Sequence, residues 1–159
     1  MKKFILALSL MLISIGVYAQ SADVITQILE TEKITYGQIS YLSAVRQDLI
    51  SEEDSFDKAM EVLSENFHAK KLLGVDYPAP AEDVASIIMT IWPEVKGGLL
   101  CRISGGSSRY MFKYLKAVHC IPDNCDPQSY LSGIEALNIL TFCMDKFGAE
   151  DECMSMDVE

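Results

Sequence analysis

The chain is short of cations: 13 Lys and Arg stand against 23 Asp and Glu over 159 residues, a formal charge of -10. That balance excludes a general nucleic-acid binder, which needs basic side chains to displace counterions from phosphates. Proline is scarce, at five, and half of the residues are hydrophobic. Such a chain is too apolar for a disordered tail and suffices for one ordinary core, with no room for a second full domain. No Cys precedes Cys101, so no thiol near the N-terminus can carry a lipid. After Val17 no apolar run approaches the ~20 residues that a membrane-spanning helix needs. Alternation of apolar and polar residues over strand length is also missing, which argues against β structure.

At the N-terminus, Met1, Lys2 and Lys3 precede an apolar run from Phe4 to Val17, and Val17-Tyr18-Ala19 has the form of a cleavage site. This is the pattern of a secretory signal peptide over residues 1–19, too short to serve as a membrane anchor. Loss of Lys2 and Lys3 leaves 11 bases against 23 acids, a formal charge of -12. The expected location is the periplasm, with secretion outside the cell as the alternative. Residues 20–148 are expected to form a single helical domain and 149–159 an acidic tail.

Recurring 3.6-residue patterning predicts an all-α fold, a compact bundle of about five to six helices. After a first helix near Ala22 to Glu30, Thr35-Tyr36-Gly37-Gln38 has capping-box form and opens a helix with Ile39, Leu42 and Val45 inward. Acidic residues around Ser55 start the next, with Phe56, Ala59, Met60, Leu63 and Phe67 inward and Lys70 and Lys71 at its end. Pro80 with Glu82 and Asp83 begins a helix whose core face is Val84, Ile87, Ile88, Ile91 and Trp92. A helix from about Arg109 to Val118 follows, with Tyr110, Tyr114, Leu115 and Val118 on its apolar side. Ser132-Gly133-Ile134-Glu135 repeats the capping-box form before a long last helix carrying Ile134, Leu137, Leu140 and Met144. The segments Thr35 to Phe67 and Pro80 to Val118 each read as a helix pair, which suggests two similar halves. Between Gly97-Gly98 and Gly105-Gly106, Leu99, Leu100 and Ile103 are expected to anchor a non-helical connection onto the helices that begin at Pro80 and Ser132.

Charge is segregated. Between Glu94 and Asp123 there is no carboxylate, yet Lys96, Arg102, Arg109, Lys113 and Lys116 all fall there. Arg109, Lys113 and Lys116 recur at i, i+4 and i+7, one helical face on which they can converge on one partner. The alternative is that they pair with carboxylates of the acidic helices, or are simply solvated. Gly105-Gly106-Ser107-Ser108 lacks the Lys-Ser/Thr ending of a nucleotide-binding loop.

Cys101, Cys120, Cys125, Cys143 and Cys153 are odd in number, so at least one thiol is free or pairs between chains, which leaves a homo-oligomer open. The nearest pair, Cys120 and Cys125, could staple an inter-helix loop. Zinc on His119, Cys120 and Cys125 fits the usual ligand spacings poorly. Sequence neighbours on a helix point about 100° apart, which disfavours His119 as a base for Cys120. No catalytic constellation, metal site or cofactor is indicated.

Gly97-Gly98-Leu99-Leu100-Cys101-Arg102, Arg109-Tyr110 with Lys113 and Leu115, Ile121-Pro122, Asp126-Pro127 and Ser132-Gly133 followed by Ala136 to Leu140 together resemble a helical module of uncharacterised spirochaete-type cell-envelope proteins. Thr35 to Gln38, Asp57 to Met60 and Leu63 resemble that module's first half, itself distantly similar to S-layer homology domains. The resemblance implies an all-helical, non-enzymatic envelope module, sometimes joined to an outer-membrane-protein-A-like peptidoglycan-binding domain that this sequence lacks. Cys101 stands where the pattern has an aromatic, and Gly105 to Ser108 replace a Pro-containing link. Arg102, Arg109 and Tyr110 match the pattern and lie in the basic island.

The expected function is therefore a periplasmic binding or scaffold module that holds an anionic envelope component or an acidic protein partner on Arg102, Arg109, Tyr110, Lys113 and Lys116. The alternative is a small exported hydrolase or thiol-redox enzyme using Cys120 or Cys125 with His119.

Overall fold

The computed structural model describes residues 22–67, 72–95 and 97–148. The signal-peptide reading, the Lys70-Lys71 helix end and the acidic tail fall outside them. The described chain is all-α, with seven α-helices. They are α1 (22–29), α2 (Tyr36–Arg46), α3 (Phe56–Phe67), α4 (Ala81–Ile88), α5 (Leu99–Ile103), α6 (Ser108–Ala117) and α7 (Gly133–Phe147). A 3-10 turn, Met89–Ile91, prolongs α4. The count exceeds the expected five to six because the Gly-flanked connection contains α5.

The starts of α2 and α7 follow from local chemistry. Thr35 and Ser132 each accept from the backbone N–H three residues on, and Gln38 and Glu135 return the favour by accepting from the cap residue's N–H. Pro80 opens α4 with Glu82 and Asp83 in the first turn, where negative charge suits the helix dipole.

These three helix starts are gathered by a non-helical clip. Ile34 N–H donates to Leu131 O at 2.8 Å, Ala79 N–H to Ile34 O at 2.9 Å, and Ala81 N–H to Ser129 O at 2.8 Å. Isolated antiparallel bridges join Thr35 to Pro78 and Pro80 to Tyr130. Donors that a helix start would leave orphaned are satisfied here: Tyr36 N–H by Tyr77 O and Gly37 N–H by Val75 O. Gly133 is required by proximity, since a Cβ there would lie 1.7 Å from the Ile28 carbonyl oxygen.

In the body of the domain α2 packs on α3, α4 on α6, and α2 on α4, so each half contains a paired couple of helices. The core joins Ile39 and Leu42 of α2, Ala59 and Leu63 of α3, Val84, Ile87 and Ile88 of α4, and Leu115 of α6. Two inward stripes differ from the sequence expectation. On α6 the buried residues are Phe112 and Leu115, while Tyr110 and Tyr114 are half-buried. On α7 they are Ala136, Ile139, Leu140, Cys143 and Phe147, and Ile134 faces solvent. Both stripes have the i, i+3, i+4 spacing of a core face, but Phe112 lies one residue from charged Lys113, and Ile134 occupies the first turn, beyond the reach of the core.

Candidate functional site

The described bases of the island lie on two helices, Arg102 on α5 and Arg109, Lys113 and Lys116 on α6. After Met89–Ile91, Trp92 is buried with its ring centroid 5.6 Å from that of Phe147, and Tyr114 stacks on the same Phe147 at 6.2 Å. Trp92 of this aromatic group also lines the cleft that Cys101 and Arg102 of α5 border.

Helix α5 is short because glycines end it, not because it fails to form. Its last turn closes in a Schellman motif: Gly106 N–H donates to Cys101 O at 2.9 Å and Gly105 N–H to Arg102 O at 3.5 Å, with Gly105 left-handed at φ 67°. Before the helix, Gly97 is left-handed at φ 63°, and a Cβ on it would meet the Cys101 sulfur at 2.9 Å. These residues thus shape a helix where a non-helical connection was expected.

The side of α5 that faces the protein also differs from expectation. Cys101 is buried, at 3% exposure, whereas Leu99, Leu100 and Ile103 are 71%, 56% and 74% exposed. The three aliphatic residues therefore do not anchor the connection. At 100° per residue, Leu99, Leu100 and Ile103 share one face, Cys101 lies opposite, and Arg102 flanks the apolar face.

Behind α5 is an open cleft of about 380 Å³, with apolar walls from Met89, Trp92, Val95 and Met111 and with Arg102 among its lining residues. Arg109 and Lys113 are exposed on the first turns of α6, and the Lys113 ammonium sits 5.5 Å over the Tyr110 ring. Lys116 is placed differently: half-buried, its ammonium donates to Cys125 O at 2.9 Å and lies 5.8 Å over the Phe112 ring. It ties the loop after α6 back to the helix. Among the described residues the single ion pair is Lys58 with Asp54. Arg102, Arg109 and Lys113 are thus not consumed in internal charge pairing there.

The thiol constellation is dispersed. Cys101, Cys120, Cys125 and Cys143 are all free. Cys120 is buried and donates to Phe142 O at 3.8 Å, beside the Cys143 thiol, while the half-buried Cys125 sulfur approaches Asp126 O and Ser129 Oγ, each at 3.8 Å. The Cys120–Cys125 bridge is not made. Burial pushes the Cys120 and Cys143 thiols upward, away from the thiolate form that nucleophilic work needs. His119 is exposed at φ 64°, the left-handed position that ends α6: its N–H donates to Lys116 O at 3.1 Å and Cys120 N–H to Leu115 O at 2.9 Å. No three His, Cys, Asp or Glu side chains converge as metal ligands among the described residues.

Sequence reasoning missed the exposed α5 face and Phe112. The signal for α5 was Gly105-Gly106, a helix stop six to eight residues after Gly98-Leu99. No helix among the described residues is long and apolar enough to cross a membrane. The chain matches no protein-family model, no curated protein and no solved structure.

Proposed function

We propose that this chain is a non-enzymatic, exported helical binding or scaffold module that holds an anionic envelope component, or an acidic protein, against the end of the molecule carrying Arg102, Arg109, Tyr110 and Lys113. Its working compartment is the periplasm, in keeping with the signal-like N-terminus and the resemblance to envelope modules. The observation that carries the reading is the segregation of charge. In a chain of formal charge -10, the stretch between Glu94 and Asp123 has no acid, and its exposed bases Arg102, Arg109 and Lys113 make no ion pair with the described residues. Free bases that face outward together attract an anion at short range, while the acidic remainder repels it elsewhere. Lys116 supports the face from behind through Cys125 O.

The test is charge reversal at Arg109 and Lys113 in the exported protein, read by co-sedimentation with envelope fractions and by partner capture. Loss of both is expected. Unchanged sedimentation and an unchanged set of partners would overturn the proposal.

A further inference from the structure

Three large aliphatic side chains on one turn of a five-residue helix, all more than half exposed, are not explained by packing or by charge. Leu99, Leu100 and Ile103 project from α5 while Cys101 holds its other side to the protein. Single exposed aliphatic residues are ordinary, but a contiguous cluster marks a surface that is covered in use. We infer that the α5 tip docks on an anionic phospholipid surface, with Leu99, Leu100 and Ile103 entering the boundary between headgroups and acyl chains and with Arg102, Arg109 and Lys113 meeting lipid phosphates. This inference rests on the proposed binding role of the basic face and names the partner of that face.

Shape and charge select a bilayer over the other occupants. The exposed face is only about one helical turn long, whereas a stable protein interface needs about 800 Å² from each partner. A bilayer makes no such demand, since a few aliphatic side chains and nearby cations suffice for reversible interfacial binding. Arg102 flanks the apolar face, so its stem can lie along the acyl boundary while the guanidinium stays at phosphate depth. A second copy of the chain is a poor fit, because apposed tips would bring Arg102 against Arg102 within a segment that has no carboxylate. Charge complementarity also sets orientation. An anionic leaflet attracts cations within a Debye length of about 8 Å and repels the acidic remainder, so this end is the one that can approach.

The glycines that frame α5 fix the tip's direction. Gly97, Gly105 and Gly106 all have left-handed φ, and the Gly106 N–H bond to Cys101 O closes the helix without a side chain that would shield the aliphatic face. The cleft walled by Met89, Trp92, Val95 and Met111 lies on the opposite, Cys101 side of α5, so the aliphatic face itself stays open to a planar surface.

The experiment is flotation of the purified mature chain with vesicles of phosphatidylcholine alone or mixed with phosphatidylglycerol. Binding is expected only to the mixed vesicles. Leu99→Gln with Ile103→Gln should weaken it roughly tenfold or more, and Arg102→Glu with Arg109→Glu should abolish it. Ile134→Gln, also at an exposed aliphatic residue but on α7, should leave it unchanged. These positions are on the surface, so the variants should retain wild-type helical content, measured alongside. Binding that ignores the Gln substitutions, or that is equal on both vesicle types, would overturn the inference. So would a dimer in lipid-free solution that Leu99→Gln with Ile103→Gln dissolves. If neither vesicle is bound while reversal at Arg109 and Lys113 still releases the chain from envelope fractions, the lipid assignment is wrong and the basic-face reading stands. If reversal also has no effect, both fall.

Discussion

Two serines three residues apart on α2 show how closely a buried hydroxyl's value depends on what it meets. Ser43 donates to Ile87 O at 3.1 Å, shares a hydrogen bond with Thr90 Oγ1 at 3.0 Å, and so ties α2 to α4. Ser40 is equally buried, yet its hydroxyl has no partner among the described residues. A paired buried hydroxyl contributes about 0.5 to 1.5 kcal/mol and an unpaired one is a net cost. Ser43→Ala should therefore lower the unfolding free energy by about that amount, and Ser40→Ala should leave it unchanged or raise it slightly. Denaturant midpoints measured on both variants check the contrast, and equal losses would contradict it.

At the scale of elements, three helices end by the same device with different residues. Asp48 after α2, Gly105 after α5 and His119 after α6 are each left-handed, at φ 54°, 67° and 64°. Each is followed by the hydrogen bond that closes a Schellman turn, from Leu49 N–H to Ala44 O, Gly106 N–H to Cys101 O, and Cys120 N–H to Leu115 O. A side chain in that conformation costs about 1 kcal/mol. His119→Gly should raise the thermal midpoint by a few degrees and Gly105→Ala should lower it, as calorimetry would show. The starts of α2, α4 and α7 were legible because a cap is a local sentence: Thr35 with Gln38, Pro80 with Glu82, and Ser132 with Glu135. The end of α5 was written in the same local grammar, but paired glycines also mark mobile links. Hydrophobicity was then read as burial, which assigned Leu99, Leu100 and Ile103 to the core. The clip among Ile34, Ala79 and Leu131 was illegible, since its partners lie far apart in sequence and are backbone groups.

For the whole molecule, burial sets a pH dependence with a definite sign. Tyr36 donates to Asp83 Oδ2 at 2.5 Å; burial, then that hydrogen bond and the carboxylate's charge, push its phenol well above the ordinary range. Burial likewise raises Cys120 and Cys143. A folded state that holds these protons more tightly than the unfolded chain draws stability from them below the ordinary values, about 8.5 for thiols and 10 for phenols. That stability is lost progressively as pH rises from these values toward the raised folded-state ones. The denaturant midpoint should fall from about pH 8.5 upward, and Tyr36→Phe with Cys143→Ala should flatten the fall while lowering the plateau. A midpoint that rose with pH over this window would contradict the assignment. The same thiols should alkylate slowly at neutral pH, leaving Cys125 as the fastest of the four described, which peptide mapping after a brief pulse of iodoacetamide would show.

The charge asymmetry that defines the candidate site was readable from the order of residues along the chain, whereas its projection on α5, beside an open cleft, required the three-dimensional arrangement. The most direct measurement is amide hydrogen exchange on the mature chain, free and bound to envelope membranes. New protection is expected only from Gly97 through Lys113, with α3 and the clip around Ile34 unchanged. Protection centred on α3 or on the acidic loop before it, with Gly97 to Lys113 exchanging as in the free chain, would contradict it.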